Sequence, residues 1–180
     1  MGYTREEIEN IAETLNRKYK IKSQYNSDDK SLNIEDLVYT LGGSIEKVAF
    51  VDVGANTMSI DSADQEDDGR WKDVSFVIKV SATDSPRRQN FTLAHEVGHL
   101  FLHYLKADPA NRKDSFNRIS YIEGGNIERE ANIFAGALLM PSKEYKEVYD
   151  NCGGDLIEVA NIFNVSVPAA EVRASVLGIL

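Results

Sequence analysis

The chain has 180 residues, 42% of them hydrophobic and 27% charged, which fits one globular domain with a real core and excludes disordered, collagen-like and fibrous classes. Its single cysteine, Cys152, allows no intrachain disulfide and no cysteine-rich metal site, and reads as a bystander thiol. The formal net charge of −9 disfavours general affinity for phosphate backbones but not for a peptide, least of all a basic one.

The chain opens on Met1-Gly2-Tyr3-Thr4-Arg5-Glu6-Glu7, without the basic start and apolar stretch of a signal peptide. No apolar run is long enough to span a bilayer. The expected location is therefore cytoplasmic, with no membrane partner. Thr4-Arg5-Glu6-Glu7 fits the hydroxyl-x-x-Glu capping box, and Ile8, Ile11, Leu15 and Tyr19 follow at helical spacing, which predicts a helix over 4–20. Residues 21–32 read as a polar connection. Asn33 is placed to cap a short helix over 34–41, with Gly42 at its end.

Residues 44–53 predict a strand, Gly54-Ala55-Asn56 a turn, and 57–60 a second strand, together a hairpin. The acidic stretch 61–73 lacks the ligand spacing of a calcium loop and reads as a solvated loop. Val74–Val80, rich in β-branched residues, predicts a third strand. Ser85-Pro86 starts a helix that runs to about Tyr104. Residues 106–125 are irregular. Asn126 is placed to cap a helix over 127–140 that Pro141 ends, and short helices are expected at 142–150, 155–163 and 168–177. Helices, a small antiparallel sheet, then helices make an α+β domain over 1–180, with its core at about 34–141 and a helical C-terminal segment over 142–180.

The chemistry concentrates in His95-Glu96-Val97-Gly98-His99. On a helix the two histidines lie on one face, with about 6 Å of rise between them. Both rings can converge on one zinc ion. Glu96, one step round, is placed to take a proton from water and pass it to a leaving amine. Gly98 leaves one side of the helix thin enough for close approach by a neighbour. A catalytic zinc needs a third protein ligand and an open position. His103, about 12 Å along from His95 on a continuous helix, is too far to share the ion. No histidine remains beyond these three, so the third ligand is expected to be a carboxylate. Glu128, Ala131, Asn132 and Ala135 share a face of the next helix. Its small residues would let it pack closely on the histidine helix, Glu128 would complete the site, and Asn132 would fix the tautomer of a ligand ring. Glu130 points elsewhere on the wheel. Tyr104, Tyr121, Arg118 and an inward-bending His103 are candidate donors to an oxyanion.

Two segments carry a resemblance. The run from Arg88 to His103, and Glu128-Arg129-Glu130-Ala131-Asn132-Ile133-Phe134-Ala135 with Leu138-Leu139-Met140-Pro141 after it, resemble in order and spacing the core of the ImmA/IrrE family of metallopeptidases. The resemblance implies a zincin-like (gluzincin) core, zinc on His95, His99 and Glu128, and Glu96 as base. It also implies a protein substrate, a transcriptional repressor of a mobile element, prophage or stress response, and a short family member without the extra sensor domain of radiation-response members. Two other readings stand beside it. One is a zinc-stabilised module that binds a repressor without cutting it. The other is a DNA-binding regulator using 155–177, whose spacing fits a helix-turn-helix but whose second helix offers only Arg173 as a basic residue.

Overall fold

The computed structural model describes residues 2–19, 33–49, 58–65, 71–105 and 126–180. Helix α1 spans Arg5–Tyr19 and α2 spans Ile34–Thr40; strands β1, β2 and β3 span Gly43–Val48, Met58–Gln65 and Trp71–Ser81. Helix α3 spans Pro86–His99 and runs directly into a wider π-helical turn over Leu100–Tyr104. Helices α4 to α7 span Asn126–Leu139, Ser142–Asn151, Leu156–Ile162 and Val167–Val176.

The helix starts follow from their caps. The Thr4 amide donates to Glu7 Oε2 at 2.8 Å and the Glu7 amide to Thr4 Oγ1 at 3.3 Å, the reciprocal capping box. Asn33 Oδ1 accepts from the Asp36 amide and Ser85 Oγ from the Arg88 amide, each satisfying a helix donor that has no partner within its helix. Asp155 and Ser166 do the same for α6 and α7.

The sheet departs from the expected hairpin. Its order is β1-β3-β2, with β1 parallel and β2 antiparallel to β3, so the small sheet is mixed rather than antiparallel. β3 takes the centre, with Phe76, Ile78 and Val80 buried on one face while Lys79 is exposed on the other. Parts of the acidic stretch are strand, not loop, because β2 continues to Gln65 and β3 begins at Trp71, with Gln65 opposite Trp71 and Asp64 opposite Lys72. The predicted turn at 54–56, the end of the predicted first strand at 51–53 and the connection at 21–32 lie outside the described residues.

One core joins α1, α2, the sheet, α3 and α4, with Leu37, Ile78, Leu93, Val97, Phe134 and Leu138 fully buried. A second, around Tyr145, Val148, Val159, Phe163 and Ala174, holds α5 to α7 together, and Cys152 packs at its margin. Burial and the neighbouring Tyr149 push the Tyr145 phenol up to about 12, and its hydroxyl donates to the Ala170 carbonyl at 2.6 Å. Arg173 ties the two cores. Its guanidinium pairs with the Glu9 carboxylate through both terminal nitrogens, and Nε donates to the Met140 carbonyl at 2.9 Å. With its side chain 1% exposed, Arg173, the one basic residue of the second helix of the helix-turn-helix-like pair, is not presented to a phosphate. Among the described residues, no helix is long and apolar enough to cross a membrane.

Candidate metal centre

Helix α3 is anchored by Ser85 and Pro86 at its start and by Leu93, Ala94 and Val97 against the core. That face fixes the rotation of the helix, and with it the direction of His95 and His99. Helix α4 crosses at Gly98. A Cβ there would meet Phe134 Cδ1 at 3.0 Å and the Ala131 Cα and carbonyl oxygen at 3.3 Å, so glycine is what lets the two helices approach so closely. The approach brings Glu128, one turn before Asn132 on α4, over the histidine pair.

Three side chains converge. His95 Nε2 and His99 Nε2 are 2.9 Å apart. Glu128 Oε2 lies 3.2 Å from His95 Nε2, and Glu128 Oε1 lies 3.3 Å from His99 Nε2. The rings meet edge to face, their centroids 4.6 Å apart. The ligand atoms of a tetrahedral ion bound at about 2.0–2.1 Å would lie about 3.3–3.4 Å apart, so the triangle fits a zinc-sized cation. Two neutral ring nitrogens whose lone pairs face each other at this separation repel unless a proton or a cation lies between them. His95 Nδ1 is 2.9 Å from Asn132 Oδ1; with the amide oxygen accepting, the proton is on Nδ1 and the lone pair is on Nε2. The His95 and His99 side chains are 16% and 8% exposed and Glu128 is 48% exposed, so the cradle opens to solvent on the Glu128 side.

The charges agree with this arrangement. Burial opposes a charge on His95, but the Glu128 hydrogen bond, the Glu96 and Glu128 charges and Asn132 outweigh it and hold its pKa above the ordinary value. His95 and His99 hold the Glu128 carboxyl well below the usual carboxylate range. Glu96, 5% exposed, is buried on α3 next to His95.

The other expected site residues fall differently. Tyr104 is buried in the main core, 4% exposed. Tyr121 and Arg118 lie outside the described residues. His103 is drawn back under His99, its Nδ1 3.1 Å from His99 Nδ1 and its Nε2 3.1 Å from Glu130 Oε2. Burial and a charge on His99 keep its pKa below the ordinary histidine value despite Glu130. The helix does not simply continue as an α-helix past His99. The Leu105 amide donates to the Leu100 carbonyl at 2.9 Å, five residues back, the wider turn often found at functional sites. Glu130, set aside by the helical wheel, is 4% exposed and sits at the site's inner end. The wheel sets Glu130 apart from Glu128, but could not show that it meets His103. The one sequence signal for that was a third histidine on the same face in an apolar stretch, which needs a polar partner.

The family described as the IrrE N-terminal-like domain matches residues 47–175, more than half of the chain. The Radiation response metalloprotease IrrE of Deinococcus radiodurans is 34% identical over 112 aligned positions, covering 56% of this chain and 32% of that protein. The chain thus spans about a third of the length of the curated relative it matches.

Proposed function

The chain belongs to the family of IrrE N-terminal-like metallopeptidases, and from that premise we propose that it is a zinc-dependent endopeptidase that hydrolyses a peptide bond in one particular protein. The observation that carries this reading is the convergence of His95, His99 and Glu128 beside a buried Glu96. A structural site closes its metal with four protein ligands, whereas three ligands and an open, solvent-facing side are what catalysis uses.

In this reading His95, His99 and Glu128 hold zinc, and Asn132 keeps His95 in the tautomer that presents Nε2. When bound, zinc supplies a Lewis acid that polarises the scissile carbonyl and makes water more acidic. Glu96 accepts the proton of the attacking water and delivers it to the leaving amine. His103 is committed to His99 and Glu130 and Tyr104 is packed in the core, so of the candidate oxyanion donors Tyr121 and Arg118 are the ones retained.

We assign as substrate a helix-turn-helix transcriptional repressor of a mobile element, prophage or stress response; this rests on the sequence resemblance and not on the site's chemistry. Glu96→Gln should retain zinc and lose cleavage by about 10²–10⁴-fold, the usual contribution of a positioned proton-transfer group. Mass spectrometry of the partner repressor after incubation checks it. An intact repressor with the wild-type, zinc-loaded protein would refute the peptidase reading, and cleavage retained by Glu96→Gln would refute the base.

A further inference from the structure

His99 is held from behind by a chain of groups that ends on a buried carboxylate. We propose that His103 and Glu130 are positioning residues that set the tautomer of His99 and aim its Nε2 at His95 and Glu128. The proposal rests on the reading of His95, His99 and Glu128 as metal-holding.

The polarity of the chain follows from its end. Glu130, its side chain 5% exposed, accepts the Tyr3 amide on Oε1 at 3.0 Å and faces His103 Nε2 with Oε2 at 3.1 Å. A carboxylate only accepts, so His103 Nε2 carries the proton. A neutral ring protonated there has its lone pair on Nδ1, the atom 3.1 Å from His99 Nδ1. His99 Nδ1 must then donate, which leaves the His99 lone pair on Nε2, 2.9 Å from His95 Nε2 and 3.3 Å from Glu128 Oε1. Asn132 imposes the same tautomer on His95 through a single contact. Both ring lone pairs are thus directed at one point by acceptors on α4, Asn132 directly and Glu130 through His103.

The N-terminal segment closes the far end. A Cβ on Gly2 would meet Glu130 Oε1 at 2.5 Å and Asn126 Nδ2 at 2.7 Å, so glycine lets the backbone lie against the carboxylate and present the Tyr3 amide. Groups that orient a ligand in this way are worth about 10–100-fold in metal affinity.

The test measures zinc affinity by competition with a chromophoric chelator, and ring tautomers by nitrogen-15 NMR of the metal-free protein at alkaline pH. Wild type should show His99 protonated on Nδ1 and His103 on Nε2; a His99 protonated on Nε2 overturns the proposal. His103→Leu and Glu130→Leu should each weaken zinc roughly 10–100-fold and shift His99 toward the Nε2-protonated form. His103→Gln, whose carbonyl still accepts from His99, should recover most of the affinity. Unchanged affinity in His103→Leu overturns the proposal. His95→Ala separates the two readings. If it keeps wild-type zinc affinity, the metal site itself is wrong; if it loses zinc while His103→Leu does not, only the positioning role fails. Should the leucine variants not fold, the wild-type tautomers and His103→Gln decide.

Discussion

At the residue scale, His95 and Glu128 form one interaction seen from two sides, and it has a definite pH dependence in the metal-free protein. The His95 pKa is raised from 6.5, so its contribution to stability is complete below that pH and is lost as pH rises through the higher folded value. The Glu128 pKa is lowered from 4.5, so its contribution is present above that pH and lost as pH falls through the lower folded value. With chelator present, the pair supports the fold best between these two ordinary values and fades on the alkaline side. Metal binding runs the other way, because the His95 proton must leave first, and zinc affinity rises with pH until His95 is neutral. Thermal unfolding across pH with chelator and with zinc should show these opposite trends. Glu128→Gln should flatten the chelated profile; an unchanged slope would assign it to other groups. Glu128→Ala should also cost far more zinc than Glu130→Ala by elemental analysis, because in the proposed site one removes a ligand and the other only a support.

At the element scale, the site exists because two helices touch. Gly98 faces Ala131 and Phe134 with no room for a larger side chain. Gly98→Val should therefore push α4 from α3, destabilise the fold by about 1–3 kcal/mol as overpacking does, and weaken zinc by moving Glu128 from the histidines. Denaturant midpoints and zinc affinity measure the two effects; a variant with wild-type values in both would show that the close crossing is unnecessary. The helices themselves were legible in the sequence, because caps and apolar spacing are local: Thr4, Asn33 and Ser85 cap where their residue types suggest. The sheet was not. A turn signal at 54–56 suggests which strands are joined, but pairing is decided by which strand buries the better face, and Phe76, Ile78 and Val80 put β3 between the other two. Acidic composition likewise suggested loop where β2 and β3 continue as strand, since edge pairing needs backbone groups more than apolar side chains.

At the scale of the whole molecule, Arg173 and Glu9 connect the last helix to the first. Arg173→Met should cost up to about 3 kcal/mol, because a carboxylate only 15% exposed loses its charged hydrogen bonds, and should lower the melting temperature by on the order of 10 °C. Combining it with Glu9→Leu should recover much of the loss, since replacing both members of a buried pair by apolar groups is often neutral. A double variant no more stable than the single would place the damage in the Met140 contact instead. The same pair shows where reading along the chain ends. His95, Glu96 and His99 lie within one helical turn and a half, so spacing alone put the two histidines on one face with Glu96 a step round. Glu128 and Asn132 needed only the further inference that two small-faced helices pack. Residues distant in sequence are joined by folding, and only the tertiary structure decided them. It buried Arg173 against Glu9, so that a basic residue on a helix-turn-helix-like pair became an internal tie. It also set Glu130 and Tyr3 behind His103, 127 positions apart in the chain, because a buried carboxylate takes whatever donors the packed helices bring within reach.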